Sequence, residues 1–313
     1  MDIRGVKVLV TGGAGFIGSH LADRMISQGA QVTVLDNLSF GRLENVPLGA
    51  TFLQMDLLDY PALHPVVRDQ DVIFHLAACA TTKESAMGWA DPVFDYQVNA
   101  IGTLNMLRAV AEAGNTVRVI YASSAAVYGH TGPIPTNENH PTDPVSPYGI
   151  SKLAGEKYCL AYYREYGIPV AILRIFNCYG PRQPRYVMHD LIMKLRHDSS
   201  LLRVIGTGRQ VRDFCYVDDV VDAFLLVADH PGEVFNAGSG IPTTISSLAE
   251  HIKARVAPMA RSVTEGKSWR GDIESLLADA TKLRALGFSP KVDLDAGIEK
   301  LLAWYDSFAV VSS

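Results

Sequence analysis

The stretch that most constrains this chain is its first 36 residues. A short apolar run (Lys7 to Val10), a glycine-rich loop, a helical segment (Phe16 to Gln28) and a second apolar run (Gln31 to Leu35) follow one another there. Runs this short read as strands, and two strands joined by a helix pair side by side in parallel, because only a long crossover returns the chain to the same end of the sheet. The pattern continues, with strands expected at Thr51 to Gln54, Asp71 to Leu76, Val117 to Ala122 and Val170 to Arg174, and helices near 60–68, 91–113 and 147–166. Continuous apolarity, as opposed to alternation, marks strands covered on both faces. The expected fold is α/β, a doubly wound parallel sheet.

After Asn177 the alternation stops, and the loop Pro181-Arg182-Gln183-Pro184 leads to a helix near Val187 to Arg196, followed by shorter strands and late helices. Glu233 to Asn236 reads as a strand that could rejoin the main sheet. The organisation expected is therefore discontinuous, with 1–176 and about 212–238 in the larger domain and about 177–211 and 239–313 in a smaller one. No repeat and no low-complexity segment interrupts it.

The chain has 313 residues, 48% of them hydrophobic, which suffices for a full core. A net charge of −5 lacks the basic excess that nucleic-acid binding requires. Cys79, Cys159, Cys178 and Cys215 form no Cys-x-x-Cys pair, so no metal site is expected. No apolar run approaches the ~20 residues that span a bilayer and no leader-like segment opens the chain, which leaves the cytoplasm as the default and no membrane partner.

The loop Thr11-Gly12-Gly13-Ala14-Gly15-Phe16-Ile17-Gly18 lies directly between the first strand and the first helix. Glycines there permit a tight turn, close approach of the backbone to a pyrophosphate, and tight helix-to-strand packing, while the helix N-terminus attracts the anion. This is the context of a Rossmann-type dinucleotide site. Asp36 closes the second strand 18 residues beyond Gly18, where a carboxylate accepts from ribose hydroxyls and would repel a 2′-phosphate. NAD is therefore the expected cofactor. The alternative for Asp36 is a turn residue before Asn37, and for Asp56, next to Leu57, it is a plain turn aspartate in place of an adenine contact.

Ser146-Pro147-Tyr148 reads as a helix start, with Ser146 as N-cap, and Lys152 falls four residues after Tyr148 on the same face. A free tyrosine titrates near pH ~10 and a nearby ammonium favours its phenolate. The pair could then take a proton from an alcohol hydroxyl while hydride leaves the same carbon.

These features together, with His75-Leu76-Ala77-Ala78, Asn99 before Gly102-Thr103, Ser123 to Gly129, Arg174 to Pro181 and Arg212 to Asp219, strongly resemble the extended short-chain dehydrogenase/reductase family, in particular its NAD-dependent nucleotide-sugar epimerases. The resemblance covers nearly the whole chain. It implies that Ser124 hydrogen-bonds the reacting oxygen and that Leu76, Ala77, Ala78 and Asn99 lie near the cofactor, joining Gly12, Gly15, Phe16, Ile17, Gly18, Asp36, Asn37, Asp56, Leu57, Tyr148 and Lys152. It also implies that Arg212 grips the substrate diphosphate, the alternative being a surface salt bridge with Asp213, and that Asn177 lies near the diphosphate or the sugar. Relatives carry Arg-x-Gly-Asp near the end. This chain reads Trp269-Arg270-Gly271-Asp272, so Arg270 is displaced by one place and Asp272 is retained. By the same alignment Leu276 stands where an N-acetyl group is gated, and a leucine does not decide between hexose and N-acetylhexosamine. The family also implies a homodimer through the helices near 91–113 and 147–166.

Family members that carry out 4,6-dehydration, taking a proton from C5 and expelling the C6 hydroxyl, carry an acid and a base beside the serine, and decarboxylating members carry a glutamate there. Here the positions are Ala125 and Ala126, and methyl groups move no protons. What this leaves is 4-epimerisation of a UDP-hexose or other nucleotide-sugar. The alternatives are a UDP-glucuronic acid 4-epimerase, in which Arg182 and Arg185 would meet the sugar carboxylate, and a nucleotide-ketosugar reductase or dehydrogenase. A non-catalytic dinucleotide sensor would be expected to lose Tyr148 or Lys152, and both are present.

Overall fold

The computed structural model describes residues 3–79, 89–114, 117–132, 135–183, 185–266 and 273–309. The chain runs β1 (Lys7–Thr11), α1 (Phe16–Ser27), β2 (Gln31–Asp36), β3 (Thr51–Gln54), α2 (Tyr60–Arg68), β4 (Val72–His75) and α3 (Pro92–Tyr96), whose axis continues through a π-helical turn (Gln97–Ile101) into α4 (Gly102–Glu112). There follow β5 (Arg118–Ser124), α5 (Pro147–Tyr166), β6 (Val170–Ile175), β7 (Asn177–Tyr179), α6 (Tyr186–His197), β8 (Leu201–Val204), β9 (Val211–Tyr216), α7 (Val217–Val227) and β10 (Val234–Ala237). The last part holds β11 (Pro242–Thr244), α8 (Ile245–Val256), β12 (Arg261–Thr264), β13 (Ser275–Leu276), α9 (Thr281–Arg284) and α10 (Leu294–Ala309).

Seven strands form one parallel sheet in the order β10-β6-β5-β4-β1-β2-β3. Side chains alternate between its faces, and both faces are buried: Val8 and Val10 join one core and Leu9 the other, as do Phe74 and Ile73 of β4. This explains the unbroken apolar runs of the sequence. The order reverses between β1 and β4, which leaves a crevice at their carboxyl ends where ligands of such sheets bind. The expected late strand is β10, paired with β6. β9 pairs instead with β7, β11 and β13 in a second, smaller sheet, so the chain rejoins the large sheet through α7 and β10. A third apolar cluster, under α6, α8 and α10, fills that part.

The expected helix start at Ser146 is present. Its hydroxyl accepts from the Gly149 amide at 3.1 Å, Pro147 occupies the first turn, and Gly167 ends the helix in the left-handed conformation with φ +69°. Ser146→Ala is expected to destabilise the protein by about 1 kcal/mol, read as a lowered urea midpoint at unchanged m-value.

Candidate active site

One cavity of about 1000 Å³ runs from the glycine loop across the β1/β4 crevice to the second sheet. At one end the loop is built so that nothing but glycine fits. A Cβ on Gly18 would lie 2.3 Å from the Gly12 carbonyl oxygen, and one on Gly12, at φ +70°, would lie 2.7 Å from the Ala77 nitrogen. Asp36 is 8% exposed. Its carboxylate accepts from the Ala14 amide at 3.1 Å and the Leu38 amide at 2.8 Å, so it ties the glycine loop to the end of β2 while facing the cavity. Burial raises it above the usual carboxylate range, against those two amide bonds. Asn37 donates to Asp56 at 2.9 Å, and both line the cavity together with Gly12, Gly15, Phe16, Ile17, Gly18, Leu57, Leu76, Ala77 and Ala78. A glycine cradle at a helix N-terminus with a carboxylate at the end of the next strand fits a dinucleotide diphosphate and a ribose.

Asn99 is not among the described residues that line the cavity. It is wholly buried in the π-helical turn, and its amide is committed on every side. It accepts from the Cys79 amide at 2.7 Å and donates to Ser151 at 3.0 Å and Asp95 at 3.2 Å. Phe94 and Val98 supply the cavity wall here. Asn99 thus joins the chain after β4 to α5, directly beside the cavity-lining Val98. His75 is also internal. Thr11 Oγ1 lies 2.7 Å from its Nδ1 and Thr103 Oγ1 lies 2.9 Å from its Nε2. Thr103 gives its own proton to the Asn99 carbonyl at 2.7 Å, so the histidine proton sits on Nε2. Burial pushes His75 down to about 3, and it stays neutral.

Tyr148 and Lys152 rise from the first turns of α5, and Ser124 ends β5; all three line the cavity. The Ser124 hydroxyl accepts from the Ala126 amide at 3.2 Å. Lys152 is buried, its Nζ 4.4 Å from the centroid of the Tyr121 ring, and burial pushes its ammonium down to about 8 against the support of Cys159, Glu156 and Asp95. The sequence suggests a lowered Tyr148 phenol. In the chain itself burial is the larger effect and holds the phenol above its ordinary value, Tyr186 adds to this, and Ser124 works the other way. Ala125 and Ala126 are buried beside Ser124 and line the same wall.

Asn177, Arg212 and Leu276 line the far end, and Arg185 lines the same cavity nearer Phe40. Arg212 stands opposite Leu276 across the β9/β13 pair. Its Nη1 donates to the Val211 carbonyl at 2.9 Å. Asp213 is no surface partner for it: fully buried, it accepts from Ser239 through amide and hydroxyl and from the amides of Gly240 and Ala278. Arg182, also lining the cavity, pairs with Asp23 at 2.7 Å. Arg270 and Asp272 lie outside the described residues. Cys178 and Cys215 face each other in register across β7 and β9, free and at least partly buried.

Sequence reasoning missed several lining residues, among them Phe40, Tyr186, Lys194, Gln210 and Phe214. Arg185 spans two of these, lying 5.4 Å from the Phe40 ring and 5.9 Å from the Tyr186 ring. Tyr186 opens α6 at φ +74°, a conformation that no glycine in the sequence announces. Among the described residues no group of three or more His, Cys, Asp or Glu side chains could hold a metal ion, and no helix is long and apolar enough to cross a membrane.

The pattern of the NAD dependent epimerase/dehydratase family matches residues 8–238. A UDP-glucose 4-epimerase of Mycolicibacterium smegmatis is 35% identical over 96% of this chain and 98% of its own length. A UDP-glucuronic acid decarboxylase of Danio rerio is 32% identical over 96% of this chain and 72% of its own. The crystal structure of a UDP-glucose 4-epimerase of Thermotoga maritima with UDP-glucose superposes with a TM-score of 0.90 at 34% identity, covering 97% of this chain and 99% of that one.

Proposed function

Because the chain belongs to the NAD dependent epimerase/dehydratase family, with NAD as its cofactor, we propose that it is a nucleotide-sugar 4-epimerase acting on a UDP-hexose. The observation that carries this reading is the wall around Ser124: Tyr148 and Lys152 share the cavity with it, and the flanking positions are the methyl groups of Ala125 and Ala126. Of the carboxylates among the described residues that line the cavity, Asp36 and Asp56 belong to the glycine-loop end, and Asp190 is paired with Lys194 at 2.8 Å. Dehydration or decarboxylation needs a further proton carrier next to Ser124, and alanines supply none.

When bound, NAD would supply the acceptor and donor for a hydride at the sugar C4, and the positive charge of its nicotinamide would favour phenolate over phenol. The Gly12 to Gly18 loop and Asp36 would hold it. Tyr148 removes the proton from the C4 hydroxyl and gives it back, a role for which a base in contact with the reacting oxygen is required. Ser124 donates to that oxygen, and Lys152 keeps a positive charge near the phenolate. Arg212 binds the diphosphate through its planar fork, with Asn177 beside it. A firm grip there with an apolar, weakly bonded sugar pocket of Ala125, Ala126 and Leu276 suits a sugar that must present both faces. Pairing of two copies through α4 and α5 belongs to the same reading.

Arg185 favours one alternative: a guanidinium lining the cavity suits the carboxylate of UDP-glucuronic acid. The test is a panel of UDP-glucose, UDP-galactose, UDP-N-acetylglucosamine and UDP-glucuronic acid incubated in heavy water without added cofactor, with products read by NMR. The expected outcome is C4 inversion of one of the neutral sugars with no deuterium in the sugar. Deuterium at C5, loss of carbon dioxide, or a strict need for added NADH would each replace the epimerase reading.

A further inference from the structure

One buried charge pair beneath the site takes no part in the reaction described above. Glu156 and Arg174 have side chains 1% and 6% exposed, with Nη2 to Oε2 at 2.7 Å and Nε to Oε1 at 2.8 Å. Ser123 donates its hydroxyl to the same Oε1 at 2.5 Å. Arg174 reaches on through Nη1 to the Tyr128 hydroxyl at 2.9 Å, which donates to Asn236 Oδ1 at 2.7 Å. Such pairs seldom stabilise a fold more than apolar residues of the same volume, because desolvating both charges offsets their attraction. Stability therefore gives little reason for this one.

Its place in the fold gives a better reason. Ser123 immediately precedes Ser124 on β5, and Glu156 lies one helical turn beyond Lys152 on α5. Tyr128 closes the short turn that the Ser124 hydroxyl caps. One carboxylate thus spans the strand end and the helix that carry Ser124 and Lys152, and Arg174 on β6 fixes that carboxylate from below.

We propose that Glu156, held by Arg174, is a positioning residue for the reaction: it sets the spacing between the end of β5 and α5 and keeps a negative charge one turn from the Lys152 ammonium. This rests on the reading of Ser124, Tyr148 and Lys152 as the catalytic group. Lys152 is faced by Glu156 and Cys159 of its own helix, by Asp95 of α3, by the Tyr121 ring of β5 and, tilted against that ring, by the neutral His75 of β4. Removing the Glu156 charge weakens the support for the ammonium and leaves the Arg174 cation uncompensated. Both changes make Lys152 easier to deprotonate.

The test compares full-length, NAD-loaded Glu156→Gln with wild type. A misplacement of this kind is expected to lower kcat by about 10²-fold, with KM changed less than about threefold. The Lys152 titration, followed by NMR on isotope-labelled lysine Cε and assigned by its loss in Lys152→Met, is expected to fall below its midpoint of about 8 by about half a pH unit or more. The double variant Glu156→Leu/Arg174→Met restores an apolar, packed pair and covers the case in which Glu156→Gln does not fold; it is expected to recover the melting temperature and not kcat. Recovery of both in the double variant, or an unchanged kcat and Lys152 titration in Glu156→Gln, overturns the proposal. Tyr148→Phe separates the two readings. If it stays active the catalytic assignment is wrong and the proposal falls with it, and if it is inactive while Glu156→Gln is not impaired, positioning alone fails. Should no sugar of the panel be turned over, the Lys152 titration decides.

Discussion

Replacing Tyr148 with phenylalanine is expected to lower kcat by about 10²–10⁴-fold, the range lost when a positioned general base is removed, while the purified protein keeps its NAD and its KM moves only a few-fold. The substitution deletes one oxygen and keeps the ring, so the cavity wall and the α5 start capped by Ser146 are preserved. Neither Ser124 nor Lys152 can take the lost role. The serine hydroxyl is far too weak a base, and the lysine, brought down to about 8 by burial, is needed as a cation beside the phenolate. Steady-state kinetics with the sugar that wild type converts, together with the cofactor content of the denatured protein, checks both halves. Turnover within a few-fold of wild type would remove Tyr148 from the base role.

A second large loss is expected for Gly18→Val and Gly12→Ala, this time in cofactor retention. At Gly18 the obstacle is the Gly12 carbonyl 2.3 Å away, and at Gly12 it is the Ala77 nitrogen at 2.7 Å. Both are backbone atoms of elements pinned by the sheet, so neither can give way as a flexible side chain would. Gly12 adds a left-handed conformation, φ +70°, that costs an alanine about 1–2 kcal/mol, beyond the about 1–3 kcal/mol typical of forced overpacking. Relief requires the loop to move away from β4, which dismantles the cradle for the diphosphate. Both variants are expected to purify without NAD and to melt below wild type. A Gly12→Ala protein with a full complement of NAD and an unchanged melting temperature would sink the account of the loop.

How far the sequence foretold this depended on the range of the forces involved. β1 to β6, α5 with its cap and the strand at 234–237 were legible because periodicity, glycine spacing and capping act within a dozen residues. The glycine loop, Asp36, Ser124, Tyr148 and Lys152 meet at one cavity as expected. The inward direction of the Asn99 side chain was not legible, because it is set by a π-helical turn that no local pattern announces. The phenol of Tyr148 was misjudged because the ammonium four residues away is visible in a sequence and the desolvation of the ring is not. Phe40, Tyr186 and Gln210 come from a loop, a helix start and a strand approach that touch only after folding, and none carries a signature of its own.

The strand β13 is two residues long, Ser275 and Leu276, and its pairing with β9 sets Leu276 opposite Arg212. A ladder this short has little to resist a register change, yet a slip of one residue would turn Leu276 out of the cavity and bring a neighbour in. For the evolution of such a scaffold, this makes one small hinge of variation. A single insertion or deletion before residue 275 would exchange the side chain that lines the cavity there without altering the strand that carries Arg212. Substrate range on this architecture can thus drift by changes in chain length as well as by point substitution, while the chemistry at the β1/β4 crevice is left as it was.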